Sequence, residues 1–286
     1  MTMTQICSEF KISRQAHYQG VRREAEKQAK YNRVLGLVQE VRRKHPRMGT
    51  RKVLDKIRPD LEDNHLKIGR DELFGLLRAN KMLVLPRKRS RRTTIPGLYR
   101  TPNLLPGLII NRPNQVWVGD ITYIDTEIEK FVFLFVLMDL YSRYIVGYWV
   151  ATSLAAEGAI QCLNMALRFQ NVSDQSLIHH SDHGVQYTSS AYMKILFDHA
   201  IKPSMGQIGN CYDNIFAERL IGTLKNEYLL GDRFVNANQV SVAAKQSVNL
   251  YNTDRPHLSL SNVAPADVYF DHSLIMPPLM ISSEVL

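Results

Sequence analysis

The chain has 286 residues, 45% of them apolar, which is room for two domains, or for one domain with arms, around a buried core. Three scattered cysteines, Cys7, Cys162 and Cys211, form no CxxC pair, which excludes a disulfide framework and fits a reducing cytosol. No apolar run is long enough to span a bilayer, FVFLFVLMDL being short and interrupted by Asp139, and MTMTQICSEFKIS lacks the order of a signal peptide, so a cytoplasmic protein without a membrane segment is expected.

Charge is unevenly placed. Residues 1–100 hold 25 Lys and Arg against 10 Asp and Glu, a balance of +15, while the remainder holds 11 against 17, a balance of −6. A basic front and a mildly acidic back suggest a DNA-binding half joined to a half that gathers carboxylates for metal. The plainer alternative is a solvated basic helical surface. Residues 1–20 read as a short helical unit with a cap at Ser13 and a weak helix-turn-helix pattern. Residues 21–45 read as a long polar helix with Val34, Leu37, Val38 and Val41 on one stripe, broken at Pro46 and Gly49. MGTRKVLDKIRPDL and IGRDELFGLLRANKM predict two more helices, the second with Leu73, Leu76 and Leu77 facing inward. Residues 1–85 are therefore expected to form an all-α, helix-turn-helix-like DNA-binding region. Residues 86–111 follow as a basic extended linker, in which Arg87, Lys88, Arg89, Arg91 and Arg92 suit an arm laid along phosphates better than a plain tether.

From residue 115 the texture changes. QVWVGDITYIDT, FVFLFVLMDL and SRYIVGYWVA predict three strands of an antiparallel meander. A helix over SLAAEGAIQCLNMALRFQ, a strand SLIHHSD, a helix SSAYMKILFDHA and a short strand IKPSM follow. Two further helices run from about Asn214 through Leu229 and over NANQVSVAAKQSVNLYN. That order is an α/β ribonuclease-H-like fold: a mixed five-stranded sheet with flanking helices over residues 112–272, then a tail at 273–286.

Three acids sit inside motifs: Asp120 in WVGDITYI, Asp182 in HHSDHGVQY, and Glu218 in GNCYDNIFAERLIGTLKNE, with 35 residues between the second and third. Asp120 falls near the middle of the first strand and Asp182 directly after the fourth, positions from which side chains can converge on one crevice. Three converging carboxylates are the minimum kit for holding two Mg²⁺ or Mn²⁺ ions about 4 Å apart at a phosphodiester. Asn214 and Lys225, four before and seven after Glu218, share its helix face, so one edge offers an amide, a carboxylate and an ammonium. Rival acids exist: by local position alone, Asp120, Asp139 and Asp213 are not separable. His179, His180 and His183 surround Asp182 without the Cys or His spacing of a zinc site, and are expected to frame the metal loop or touch DNA.

The motifs WVGDITYI, MDLYSRYIVG, HHSDHGVQYTS, SMGQIGNCYDN, AERLIGTLKNE and YNTDRPHLSL, in this order over roughly residues 112–270, resemble the second-frame (OrfB) transposases of insertion sequence family three, members of the retroviral-integrase superfamily. The resemblance promotes Asp120, Asp182 and Glu218 over their rivals as catalytic and metal-binding residues, and implies DNA contact at Lys225. Asn214, His183 and the linker residues join Lys225 as expected DNA contacts. His183 stands where the family often has Arg or Lys, and Arg219 replaces a small residue. The resemblance implies a DDE transposase, using two Mg²⁺ ions, or Mn²⁺ in their place, for 3′-end cleavage and strand transfer. Its partners would be double-stranded DNA (element terminal inverted repeats and target DNA), a second copy of the chain at least, and an upstream-frame OrfA protein. It would work in the bacterial cytoplasm beside the nucleoid. The alternative is a catalytically inactive DNA-binding regulator derived from a transposase.

Overall fold

In the computed structural model, residues 3, 7, 9–10, 12–85, 101–169, 177–206, 214–271 and 273–281 are described. The chain divides into two compact units, Met1–Leu85 and Pro86–Leu286.

The first unit is helical. Helix α1 spans Arg14–Lys44 and opens on Ser13, whose hydroxyl accepts from the Ala16 amide at 3.0 Å. The sequence suggested a separate unit over residues 1–20, but α1 runs through Gly20 without a turn. A mid-helix glycine costs only about 1 kcal/mol against alanine, too little to stop a helix rich in Arg, Glu, Lys and Ala. Helices α2 (Thr50–Asp63) and α3 (Arg70–Ala79) complete the unit. Val34 and Val38 of α1, Val53 and Ile57 of α2, and Leu73 and Leu77 of α3 form its fully buried core. Lys30 and Glu72 bridge α1 to α3 at 2.8 Å.

The second unit is built on a five-stranded mixed sheet in the order β4-β3-β2-β5-β6. Strands β2 (Val116–Asp125), β3 (Phe131–Asp139) and β4 (Ile145–Ala151) form the antiparallel meander. The parallel strands β5 (Ile178–Ser181) and β6 (Lys202–Met205) extend it on the β2 side. Alternation along β2 feeds two cores. Val116 and Val118 face one, shared with helices α6 (Ile215–Glu227) and α7 (Ala237–Thr253). Trp117 faces the other, shared with α4 (Ala156–Phe169) and α5 (Ser190–Asp198). On the second face, a Cβ on Gly147 would come within 2.4 Å of the Cys162 carbonyl, so β4 and α4 are packed backbone to backbone there. Helix α8 (Pro265–Phe270) follows α7.

Parts of the segments expected as linker and tail pack on the core. Strand β1 (Ile109–Ile110) pairs antiparallel with β7 (Leu279–Met280). Leu105, Ile110 and Met276 are buried in the α6–α7 core. The Tyr141 hydroxyl donates to the Met276 carbonyl at 3.0 Å and accepts from its amide at 2.9 Å. The prolines and glycine around them masked these apolar residues in the sequence. No helix among the described residues is long and apolar enough to cross a membrane.

Candidate active site

The edge of β2 facing β5 is paired with that strand only at Val116–Val118, because β5 ends at Ser181. Asp120 lies just past this point, half-buried, with Oδ1 accepting from the Ile121 amide at 2.8 Å. Asp182 follows β5 directly, and its Oδ1 accepts from the Gly184 amide at 3.0 Å. A Cβ at residue 184 would stand 3.0 Å from both Asp182 Oδ1 and Gln186 Oε1, so glycine lets the loop close tightly on the carboxylate. Glu218 is exposed in the first turn of α6.

Asp120 feels both of the other acids. Burial, then the neighbouring Asp182 carboxylate, and to a smaller degree Glu218, push the Asp120 carboxyl up to about 8, while the Ile121 amide and Lys225 pull it down. Acids from a strand, a loop and a helix thus share one electrostatic site. As placed, no three His, Cys, Asp or Glu side chains among the described residues are grouped closely enough to cage a metal ion. The donor set nevertheless suits a hard divalent cation. It is all carboxylate, and Asp120 and Asp182 each keep one oxygen outside the backbone hydrogen bonds described above. The repulsion that raises Asp120 is also the kind a cation relieves.

The expected DNA contacts are placed differently from one another. Lys225 is half-buried, and its ammonium donates to the Tyr123 carbonyl at 2.6 Å. Burial pulls it below the ordinary lysine range, while Asp125 and Asp120 oppose that shift. Asn214 is not in the helix body but at its N-cap. It is buried, and its amide donates to the Gly119 carbonyl at 3.0 Å. His183 is half-buried beside a shallow cleft of about 350 Å³ that Pro102, Asn103, Pro106 and Met205 also line. Arg87, Lys88, Arg89, Arg91 and Arg92 lie outside the described residues, as does Asp213.

His179 and His180 are interior posts of β5 and do not rim the loop that follows it. His179 Nε2 meets the Tyr192 hydroxyl at 2.7 Å and His180 Nδ1 meets Ser204 Oγ at 2.9 Å, all four side chains being buried. Burial holds the His179 imidazole down at about 3, so it stays neutral. Asp139 is fully buried at the end of β3. It accepts from the Ser142 amide at 2.8 Å, from the Ser142 hydroxyl, and from the Asn114 amide at 2.7 Å. Its oxygens fix a turn, so the expected effect of Asp139→Asn is on stability. Setting an amide against the Asn114 donor should cost about 1–3 kcal/mol, read as a lowered denaturation midpoint. An unchanged midpoint would show that these hydrogen bonds do not hold the turn.

Tyr187 was not singled out from the sequence, though it closes HHSDHGVQY. It is buried against His179 and Tyr192, and a Cβ on Gly119 would lie 3.4 Å from its hydroxyl. Burial, with smaller effects from Tyr192, Asp120 and Asp182, holds its phenol well above the usual range. The Glu227–Arg255 pair was missed as well, although it joins the motifs AERLIGTLKNE and YNTDRPHLSL. Arg255 donates from Nε at 2.8 Å and from Nη2 at 3.1 Å to the two Glu227 oxygens.

A meander extended by two parallel strands, flanked by helices, with acids on β2, after β5 and on α6, defines a ribonuclease-H-like core of the integrase type. Two models described as integrase core domain match residues 110–211 and 199–265. The insertion element IS600 31 kDa protein of Shigella sonnei is 34% identical over 265 residues, covering 91% of this chain and 96% of that one. The transposase for insertion sequence element IS629 of Shigella sonnei is 29% identical over 271 residues, covering 92% and 89%. Among solved structures, the HTLV-2 integrase catalytic core domain in complex with magnesium has a TM-score of 0.42 at 18% identity, covering 58% of this chain and 99% of that one. The chain belongs to the integrase-core transposases of insertion sequences.

Proposed function

We propose that this protein is a metal-dependent DNA transposase that cleaves the 3′ end of its element and joins the freed 3′-hydroxyl to another phosphodiester. Asp120, Asp182 and Glu218 are its catalytic acids. The observation that carries the reading is that Asp120, on the central strand, feels both Asp182 and Glu218, which come from two other parts of the chain. Together they would hold two Mg²⁺ ions, Mn²⁺ serving in their place, which when bound activate the attacking water or hydroxyl and neutralise charge on the phosphate. Asp120 sits on the rigid central sheet and fixes the site's position. Asp182, on a loop closed by Gly184, and Glu218, on a helix, complete the shell from either side.

The test is an end-joining assay with purified protein, labelled ends of its own element and Mg²⁺. Joined product supports the transposase. Cut ends without joining would indicate a plain nuclease, and binding without cutting the inactive regulator. Two copies of the chain are proposed to hold the two ends.

The basic front is proposed to supply much of the phosphate contact. Removing residues 1–85 should therefore cost DNA affinity more than it costs joining of a pre-cut end. The plot of log K against log salt should also become shallower, since fewer phosphates are neutralised. An unchanged slope would move the electrostatic footprint to the core.

A further inference from the structure

Helix α6 completes the edge of β2 that β5 leaves open. Among the described residues, that edge has no strand partner beyond Val118 until the chain following α6 returns to it, where the Phe234 amide donates to the Asp125 carbonyl at 2.9 Å. Alternate residues of a strand send their N–H and C=O groups to the same side, so Gly119, Ile121 and Tyr123 present theirs along the gap. Each residue finds a side-chain partner. Gly119 O accepts from Asn214 Nδ2 at 3.0 Å, the Ile121 amide donates to Asp120 Oδ1 at 2.8 Å, and Tyr123 O accepts from Lys225 Nζ at 2.6 Å. Asn214 is the N-cap of α6, and Lys225 lies in its last turn. The two helix-to-strand bonds therefore hold both ends of α6 and straddle Asp120.

We propose that Asn214 and Lys225 are positioning residues, a two-point clamp that sets the register of α6 against β2 and so places the Glu218 carboxylate opposite that of Asp120. The proposal rests on the reading of these acids as the metal-binding shell. Two features favour a clamp over the phosphate contacts expected from the sequence. Asn214 is 8% exposed, and its buried Oδ1 has no hydrogen-bond partner among the described residues, so the bond to Gly119 is what orients the amide. Lys225 would have to give up a short bond to a main-chain carbonyl, and uncover that carbonyl, before its ammonium could reach DNA. The clamp also fits the fold's own need, since a bare strand edge leaves backbone groups unsatisfied.

The experiment compares full-length Lys225→Met, Lys225→Arg and Asn214→Leu with the unaltered protein and with Asp120→Ala. Four quantities are measured: Mn²⁺ binding to the free protein by electron paramagnetic resonance, joining rate at saturating pre-cut DNA, the salt slope of DNA binding, and the thermal melt. A misplaced Glu218 should lower the joining rate about a hundredfold in Lys225→Met and Asn214→Leu. It should also weaken Mn²⁺ binding about tenfold while leaving the salt slope unchanged. Lys225→Arg, which keeps a donor, should recover most of both losses. A salt slope reduced by about one in Lys225→Met, with joining at saturating DNA and Mn²⁺ binding intact, would make Lys225 a phosphate contact and overturn the clamp. Should the melt show that Lys225→Met does not fold, Lys225→Arg and Asn214→Leu decide: normal Mn²⁺ binding by Asn214→Leu overturns the proposal. The reading of the acids fails separately, if Asp120→Ala still joins ends or the unaltered protein binds no Mn²⁺.

Discussion

Replacing Asp120, Asp182 or Glu218 with Ala should abolish end cleavage and joining, by about a thousandfold or more, while DNA binding survives. Each substitution removes an anionic donor from a shell of three, and metal-assisted displacement depends on charge that the remaining two cannot hold in place. DNA binding should not suffer, because removing a carboxylate lowers the negative charge beside a phosphate. Stability supplies an independent signature. Asp120 is pushed up to about 8 by burial first and by Asp182 second, so near neutral pH the metal-free protein holds this carboxyl protonated at a cost in stability, part of it imposed by Asp182. Asp120→Ala and Asp182→Ala should therefore melt higher than the unaltered protein in the absence of metal, whereas the exposed Glu218 should matter little to the melt. Strand transfer, a gel shift and a thermal melt on the same preparations check all three parts. Robust Mg²⁺-dependent joining by any one of the variants would remove that acid from the site.

The strand order and the helix order of the second unit were legible because β2, β3 and β4 carry strong apolar patterns of the right length, with short turns between them. The turn at residues 127–130 and the burial of Leu134 through Asp139 follow from that pattern. Asp182 was expected directly after the fourth strand, SLIHHSD, and it follows β5 directly. What stayed hidden was the meaning of single polar residues. Asn214 and Lys225 share the face of Glu218 by helical periodicity, and the sequence therefore offered them as DNA contacts. Periodicity states which face a residue occupies, not what covers that face. Here it is the open edge of β2, and both side chains turn inward to main-chain carbonyls. His179 and His180 misled for a similar reason. Beside Asp182 they look like parts of a metal loop, yet on β5 both are buried, each with one ring nitrogen against a hydroxyl. In the first unit, residues 1–20 were expected as a helical unit of their own, but the helix formers that follow Gly20 carry α1 past it without a break.

The buried pair between α6 and the residues after α7 should show the largest effect on stability, and an asymmetric one. Arg255 and Glu227 form a two-pronged ion pair, with side-chain exposures of 6% and 20%. Arg255 also lies over the Tyr251 ring, 5.3 Å from its centroid. Paired charges removed from water depend on each other, and losing one partner of such a pair costs about 3–5 kcal/mol, because the survivor stays buried and uncompensated. Arg255 is the more enclosed of the two, so Glu227→Met should cost more than Arg255→Met, where Glu227 keeps some access to water. The double substitution should recover part of the loss, since two apolar side chains of similar length leave no stranded charge. Denaturant midpoints of the three variants measure this, and single costs below about 1 kcal/mol would show the pair behaving like a surface bridge. Joining should fall along with stability in Glu227→Met, because Glu227 belongs to the same last turn of α6 as Lys225. A loosened C-terminal end would free Glu218 from its register with Asp120. Joining that stays at the level of the unaltered protein, in a variant destabilised by several kcal/mol but still folded at the assay temperature, would show that this end of α6 does not control the site.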